Sequence, residues 1–252
     1  MPVINQRKAA IIGCGFVGSS TAFTLMQSGL FSEMVLIDVD RDRAEGEALD
    51  IAHGMPFASP MSIYAGDYED AADADIAIIT AGAAQKPGET RLDLVHKNVA
   101  IFKSIIPQLT GAGFDGIMLV VSNPVDVLTY AALKLSGLPA NRVIGSGTVL
   151  DSARFKYILG QHLGVDPRNV HARIIGEHGD SEFVPWSQAM VATKSVADIC
   201  EQSQGKFCLE EMQTISVEVR DAAQKIIEAK RATYYGIGMA LVRIVRAVLS
   251  NE

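Results

Sequence analysis

Residues 8–18 read KAAIIGCGFVG, and this stretch decides the fold. Its apolar residues, 9–12, are typical of a parallel strand that is covered on both faces. Gly13, Gly15 and Gly18 follow at G-x-G-x-x-G spacing, which allows a sharp turn, a close approach of backbone to a phosphate, and tight packing of the next helix. The helix predicted over 16–28 would direct its free N–H groups toward that phosphate.

A second apolar run, MVLID at 34–38, ends in a carboxylate. Asp38 lies at the distance along the chain at which dinucleotide-binding folds hydrogen-bond the ribose hydroxyls. Strand, glycine turn, helix, strand and acid together predict a dinucleotide site. A carboxylate at this position repels a 2′-phosphate, so the sequence predicts NAD rather than NADP as the cofactor.

The composition excludes several classes of protein. The chain of 252 residues is 48% hydrophobic, with a net charge of −7 and no basic run, so neither nucleic acid nor an anionic membrane is an expected partner. No apolar run is long enough for a membrane span, and glycines interrupt any signal-peptide pattern. A cytoplasmic location is predicted. Cys14, Cys200 and Cys208 are not spaced as metal ligands, and no metal is expected.

Short apolar runs alternate with helical patterns as far as residue 146. The predicted strands cover 62–67, 76–80, 117–121 and 143–145, and the predicted helices between them include 92–109 and 125–136. This order predicts an α/β fold, with a Rossmann-type doubly wound parallel sheet of six strands in residues 1–146. The segment AGAAQKPGETR, residues 81–91, lies between the strand predicted over 76–80 and the helix predicted over 92–109, and it has the composition of a mobile lid.

From residue 147 the pattern changes, and a second, mixed α+β catalytic domain is predicted over 147–252. A helix is followed by a strand over 170–175, and residues 189–196 are a candidate further strand. The chain is predicted to be helical from 209 onward, with an apolar stripe that begins at Met212. Because this stripe and the final apolar helix have no following partner, we expect either an incomplete domain or a subunit interface.

His178 is the candidate general acid and base. It lies in the turn GEHGD, residues 176–180, and the proton equilibrium of histidine near neutral pH suits proton exchange with an alcohol. Asp151 is the candidate carboxylate that would fix its tautomer. Arg154 shares a helix face with Asp151 and could hold a substrate carboxylate through two hydrogen bonds. The spacing alone, however, favours an ordinary ion pair between Arg154 and Asp151.

Two further polar residues are candidates for contact with a substrate carbonyl. Arg91, at the far edge of the lid segment, could polarise that carbonyl as negative charge develops on its oxygen. Asn123 follows a buried strand, where open α/β sheets bind ligands. The alternative for Asn123 is a structural role, because Asn-Pro commonly begins a turn.

Several segments together resemble the bacterial L-lactate dehydrogenases of the lactate and malate dehydrogenase superfamily. These segments are GCGFVG, AGAAQKPGETRLDL, VSNPVDVLTY, GSGTVLDSARF, IIGEHGDSEFVPWS and KRATYYGIGMAL. The resemblance implies that His178 exchanges the proton, Asp151 orients it, Arg154 clamps the substrate carboxylate and Arg91 polarises the carbonyl. It also implies substrate contacts from Asn123 and Thr233, and cofactor contacts from Gly13, Gly15, Phe16, Val17, Gly18, Asp38, Thr80, Gly82, Asn123 and Ile237.

Gln85 distinguishes the two sister activities of this superfamily. In the superfamily that this chain resembles, an arginine at this position pairs with the second carboxylate of oxaloacetate, whereas a glutamine offers no counter-charge. Pyruvate and L-lactate are therefore the expected substrates. Malate, another L-2-hydroxy acid, or a catalytically silent NAD-binding chain are the alternatives, the last because relatives continue beyond the position of Glu252.

The resemblance also implies self-association and regulation. Family members form tetramers, and many bacterial members respond to fructose 1,6-bisphosphate through an arginine and a histidine. The matching residues are Lys156 and His171. Lysine keeps the positive charge but lacks the bidentate fork of arginine, so regulation by fructose 1,6-bisphosphate is left open.

Overall fold

The computed structural model describes residues 7–84, 88–202 and 209–252. The chain folds into two compact units, one formed by residues up to Ser146 together with Tyr234–Glu252, and the other by Gly147–Thr233. Strands and helices alternate in the first unit, in the order β1 (Lys8–Ile12), α1 (Phe16–Ser28), β2 (Glu33–Ile37), α2 (Arg41–Ala52), β3 (Ser62–Ala65), β4 (Ile76–Ile79), α3 (Arg91–Gly111), β5 (Ile117–Val120), α4 (Val125–Ser136) and β6 (Val143–Gly145).

The six strands form one parallel sheet in the order β3-β2-β1-β4-β5-β6. Register pairs Ile12 of β1 with Ile37 of β2 and with Ile79 of β4, so the carboxyl ends of the three central strands lie side by side. The strand order reverses between β1 and β4, and open α/β sheets bind dinucleotides at such a switch point. The predicted Rossmann-type sheet is thus confirmed.

Alternate residues of the strands build a core on each face of the sheet. Ala9 and Ile11 of β1 pack with α1 and α2 on one face, and Ala10 and Ile12 pack with α3 and α4 on the other. Burial on both faces explains why these strands are apolar throughout.

The remaining elements of the chain are α5 (Val149–Leu163), β7 (Val170–His171), β8 (Met190–Val191), β9 (Lys194–Ser195), α6 (Val196–Gln202), α7 (Leu209–Lys230) and α8 (Tyr235–Ser250). Within the second unit, β7, β8 and β9 form an antiparallel sheet. Its core joins Phe155 of α5 to Val170 and to Ile215 of α7.

The last helix packs within the first unit. Leu241, Val242 and Val245 of α8 belong to the core that contains α1 and β1, and α8 contacts α1 directly. The sequence prediction assigned this helix to the second domain, whereas its packing places it in the first unit. Because α8 is nearly all apolar, it is stabilised by burying its side chains against α1.

Three expectations about the second domain change in the structure. The strand expected over 170–175 is hydrogen-bonded as β7 only to His171, with a separate bridge from Ile175 to Phe183. The segment 189–196 forms a hairpin rather than one strand, because Ala192 turns the chain with a φ of 52°. The stripe that begins at Met212 is not wholly free for a partner, since its first part, Met212, Ile215 and Val219, lies in the core of the unit.

Candidate active site

The glycine turn after β1 fits closely against the loop after β4. Gly13 has a φ of +99°, and a Cβ on this residue would lie 2.5 Å from the backbone nitrogen of Ala81. A Cβ on Gly18 would overlap the carbonyl oxygen of Gly13. Thr80 secures the turn by donating a hydrogen bond from Oγ1 to that same carbonyl over 2.7 Å. Only glycine satisfies both positions, because any side chain would displace backbone.

Gly15 differs from its two neighbours in the motif. A Cβ on Gly15 would meet nothing within 4 Å, and Gly15 is the N-cap of α1, with no side chain capping the helix. An open, uncapped helix start with free N–H groups is a binding site for phosphate. The space beside Gly15 therefore fits the pyrophosphate of NAD, which the N-terminus of α1 would hold.

Asp38 lies directly beside this turn, at the end of β2. Its Oδ2 accepts a hydrogen bond from the backbone N–H of Cys14 over 2.5 Å, and its Oδ1 accepts one from the backbone N–H of Asp40 over 2.9 Å. These bonds orient the carboxylate next to the glycines, where it fits a ribose diol and repels a 2′-phosphate. Cys14 itself is fully buried, and burial raises the pKa of its thiol to about 12, so it is not a nucleophile.

Asn98, which the sequence analysis missed, ties together the loops after β4 and β5. Its Oδ1 accepts from the backbone N–H of Ala83 over 2.8 Å, and its Nδ2 donates to the carbonyl of Asn123 over 2.7 Å. Asn98 is 1% exposed on the buried face of α3, between Leu94 and Phe102. The sequence did carry a signal for this role, because Asn98 is a polar residue at a position where the helical period places apolar residues.

The structure also describes the other predicted residues of the first unit, apart from Gln85. Gly82 packs against Ser122, with Asn123 exposed just beyond it. Arg91 is the first residue of α3 and is exposed. Phe16 stacks on Tyr234 with ring centroids 5.3 Å apart, while Val17 and Ile237 pack on the core beside β1. Gln85 lies outside the described residues.

In the second unit, the first turn of α5 holds the segment that leads to His178. Thr148 Oγ1 donates to the carbonyl of Ile174 over 2.7 Å, and Ser152 Oγ accepts from the Ile174 N–H over 2.9 Å. Paired backbone hydrogen bonds between Ile175 and Phe183 then close a short loop. This loop carries His178 back toward α5.

Asp151 of α5 bonds to two of the predicted side chains at once. His178 Nδ1 lies 2.6 Å from Asp151 Oδ2, and Arg154 Nη1 donates to Asp151 Oδ1 over 2.7 Å. Asp151 is 2% exposed. The structure thus brings together Asp151, Arg154 and His178, and both the acid–base pair and the helix ion pair considered above are present.

The charges of these groups set their protonation. The hydrogen bond with Asp151, and then the nearby carboxylate of Glu182, raise the pKa of His178 to about 9 against the effect of its burial. Burial works against ionisation of Asp151, yet the hydrogen bond and charge of His178 and the charge of Arg154 hold the pKa of Asp151 below its ordinary value. His178 is therefore protonated, and Asp151 ionised, at neutral pH.

Glu182 is a second residue that the sequence analysis missed. Its Oε2 lies 3.8 Å from His178 Nδ1, and its side chain is 8% exposed. The ligand atoms of Asp151, His178 and Glu182 lie within 4.8 Å of one another, a spacing that a metal ion could bridge. The positive charge of Arg154, which is bonded to Asp151, repels a metal cation at this place. Asp151, His178 and Glu182 therefore form an acid–base cluster.

Three other predicted residues belong to the second unit. Lys156 is half-buried on α5, His171 is exposed on β7, and Thr233 is half-buried at the end of the unit. Their roles stay predictions.

One unit has a glycine turn that can hold a dinucleotide by its phosphates, and the other carries His178 paired with buried Asp151. Together these features are typical of a nicotinamide-dependent oxidoreductase. Residues 7–145 match the family described as lactate/malate dehydrogenase, NAD binding domain. Residues 148–252 match the alpha/beta C-terminal domain of the same family. The chain belongs to the lactate/malate dehydrogenase family, and NAD is its cofactor.

Individual relatives agree with this assignment. The chain is 56% identical over 251 residues to an L-lactate dehydrogenase of Priestia megaterium, covering 98% of this chain and 78% of that one. It is 54% identical over 246 residues to one from Geobacillus stearothermophilus, covering 97% and 77%. The chain spans more than three quarters of the length of these relatives.

Solved structures give the same result. A lactate dehydrogenase enzyme from a Medee basin deep-sea metagenome library superposes with a TM-score of 0.94 at 52% identity, covering 99% of this chain and 79% of that one. The ligand-bound minor L-lactate dehydrogenase of Enterococcus mundtii has a TM-score of 0.94 at 47% identity, covering 97% and 78%. In the part of the chain that the structure describes, no helix is long and apolar enough to cross a membrane.

Proposed function

We propose that this chain is an NAD-dependent L-lactate dehydrogenase that interconverts pyruvate and L-lactate, with His178 as the proton donor and acceptor. The observation that carries this proposal is the 2.6 Å hydrogen bond between His178 Nδ1 and buried Asp151. That bond engages Nδ1 and leaves Nε2 as the nitrogen that exchanges a proton with substrate.

In the reductive direction, His178 enters as an imidazolium and donates the Nε2 proton to the substrate oxygen. NADH, which the glycine turn and Asp38 would hold, would supply the hydride that reduces the carbonyl carbon, and NAD⁺ would accept a hydride in the oxidative direction. Asp151 stabilises the imidazolium before transfer and keeps the remaining proton on Nδ1 afterwards. In the oxidative direction, neutral His178 accepts the hydroxyl proton at Nε2.

Arg154 is our candidate for the clamp on the substrate carboxylate. Among the described residues, its guanidinium donates only to Asp151, through Nη1, so further N–H groups are available to a carboxylate. The side chain is 13% exposed, and a partly buried guanidinium binds a carboxylate strongly and with a defined orientation. Arg91, Asn123 and Thr233 are proposed as further substrate contacts on the family resemblance.

Gln85 is the residue proposed to favour pyruvate over oxaloacetate. A neutral amide gives no counter-charge to the second carboxylate of oxaloacetate, and burial of an unpaired carboxylate is costly. The L-lactate dehydrogenase relatives agree with this preference.

Assembly, regulation and location are also proposed on the resemblance. We expect a homotetramer in the cytoplasm, with Lys156 and His171 as the candidate site for fructose 1,6-bisphosphate. Part of the apolar stripe of α7 remains for such an interface, because Ile226 and Ile227 are 36% and 41% exposed. Sedimentation at micromolar concentration, with and without fructose 1,6-bisphosphate, tests the tetramer and its dependence on this ligand. A monomer under both conditions contradicts the proposed assembly.

The first test of function is NADH oxidation with pyruvate and oxaloacetate assayed side by side. We expect turnover with pyruvate and much weaker turnover with oxaloacetate. Preference for oxaloacetate would indicate a malate dehydrogenase, and NADH binding without any turnover would indicate a silent dinucleotide-binding chain. Either result contradicts the proposed function.

A further inference from the structure

We propose that Glu182 is a positioning residue for His178, a second buried carboxylate that stabilises the imidazolium from the side of Nδ1 and so sets the pH range of the reaction. This inference rests on the proposed function, because it assigns His178 the proton transfer. Glu182 thereby becomes a third residue of the acid–base group that contains His178 and Asp151.

The backbone of the loop fixes where Glu182 lies. Its N–H donates to the carbonyl of Gly179 over 3.2 Å, and the adjacent residue, Phe183, pairs with Ile175. Gly179 has a φ of +137°, so a tight reversal brings the two ends of the loop together. Glu182 therefore reaches back four residues to the imidazole that the loop carries.

One oxygen of the Glu182 carboxylate, Oε2, is buried. Among the described residues, no group donates a hydrogen bond to its Oε2, and this oxygen lies 3.8 Å from His178 Nδ1. That separation exceeds hydrogen-bond distance, so Glu182 acts on the ring as a nearby negative charge. Burial of an unpaired carboxylate is costly, and a neighbouring cation lowers that cost.

The charge balance of the cluster favours a protonated His178. Asp151 and Glu182 contribute two negative charges, while Arg154 contributes one positive charge through its bond to Asp151. An imidazolium makes the cluster neutral, whereas a neutral imidazole leaves one buried negative charge without compensation. Protonation of His178 is thus favoured by both carboxylates.

Other charged groups also face Glu182. A cavity of about 280 Å³ between this loop and α7 is lined by Glu182 together with Asp180 and Arg220. The Arg220 side chain is 56% exposed and lies 3.5 Å from Asp221. Its charge is therefore screened by water and shared with an acid, so the imidazolium is the more effective counter-charge for Glu182.

The test is a direct titration of His178 by NMR, in wild type and in Glu182→Gln, with the signal assigned by its absence from His178→Gln. We expect Glu182→Gln to lower the pKa of His178 by about one unit, a tenfold change in its proton affinity. Glu177→Gln is the matched control, since it removes the same charge from an exposed carboxylate of the same loop. We expect Glu177→Gln to leave the titration nearly unchanged.

The pH profile of pyruvate reduction gives a second readout. In Glu182→Gln, the alkaline fall of kcat/KM should move toward neutral pH by the same amount as the NMR titration, while NADH binding is retained. A merely structural role would lower activity at every pH without moving the profile. An unchanged titration of His178 in Glu182→Gln overturns the inference, as does an equal change in Glu177→Gln.

A further variant covers the case in which Glu182→Gln does not fold. Glu182→Asp keeps the charge but withdraws it by one methylene, so the pKa of His178 should fall by less than in a neutral variant; no change at all contradicts the proposal. Arg220→Gln should leave the titration nearly unchanged, and a large shift there would identify Arg220 as the partner of Glu182 instead. The NMR titration of His178 does not require enzymatic turnover. If the wild type were inactive, the proposed function would be refuted, but the titration would still show whether Glu182 raises the pKa of His178.

Discussion

Asp151 is the residue on which the acid–base chemistry depends. It is nearly fully buried, and its two oxygens bond to His178 and Arg154. One carboxylate thus stabilises the proposed proton donor and orients the proposed substrate clamp. Loss of either partner would leave a buried negative charge less compensated.

Replacement of His178 by Gln tests the proton transfer. We expect kcat for pyruvate reduction to fall by about 10²- to 10⁴-fold, because a glutamine cannot exchange a proton near neutral pH. The Kd for NADH should stay within about twofold of wild type, since the glycine turn and Asp38 lie in the other unit. Steady-state kinetics and fluorescence titration measure the two, and full activity in the variant would refute the role of His178.

Replacement of Gln85 by Arg tests the substrate preference. The new guanidinium would pair with the second carboxylate of oxaloacetate, so the ratio of kcat/KM for oxaloacetate to that for pyruvate should rise at least about tenfold. Gln85→Leu is the control, since it adds no charge and should not raise that ratio. Unchanged preference in Gln85→Arg would show that another residue decides specificity.

At the level of elements, the turn between β1 and α1 combines two different requirements. Gly13 and Gly18 are needed for packing, because a Cβ would meet backbone at either position. Gly15 is needed for ligand access, because a Cβ there would meet nothing in the protein. The same residue type thus serves the fold at two positions and the cofactor at the third.

This contrast predicts opposite outcomes for two alanine variants. Gly18→Ala should lower the free energy of unfolding by about 1–3 kcal/mol, because its Cβ overlaps the carbonyl of Gly13. Gly15→Ala should change stability by less than about 1 kcal/mol, because alanine is a poorer N-cap than glycine but also restricts the unfolded chain. It should weaken NADH binding by roughly tenfold, since its methyl group occupies the space for the pyrophosphate. Urea unfolding and NADH titration of both variants test this, and equal effects on binding and stability would contradict it.

Prediction of the elements from sequence succeeded where one local pattern was sufficient. The buried strands and the helices α1 and α4 have the apolar runs, glycines and periodicity that local sequence carries. Prediction was weaker between residues 170 and 196, where β7, β8 and β9 have two residues each. Pairs this short depend on their partners rather than on a period of their own.

For the whole molecule, the protonation of His178 links stability to pH. The folded protein holds this proton to a pKa of about 9, against an ordinary value of 6.5. A raised pKa contributes stability that is fully present below pH 6.5 and is lost as pH rises toward 9. The free energy of unfolding should therefore fall over this range.

His178→Gln isolates this contribution. We expect the difference in free energy of unfolding between wild type and His178→Gln to decrease by about 2 kcal/mol between pH 6 and pH 9, after allowance for the partial exposure of the ring. Urea unfolding of both proteins at unit steps of pH measures it. A difference that does not vary with pH would show that the folded protein does not retain the proton.

The sequence by itself determined the dinucleotide turn, the parallel sheet and the identity of His178, Asp151 and Arg154 as candidates. These conclusions depend on glycine spacing, apolar runs and helical neighbours, which are properties of short segments. Only the tertiary structure decided that α8 packs on α1, that Asn98 joins two loops, and that Glu182 faces His178. Each of these contacts requires a turn or a packed face that joins separate segments, and no local period encodes which segments will meet.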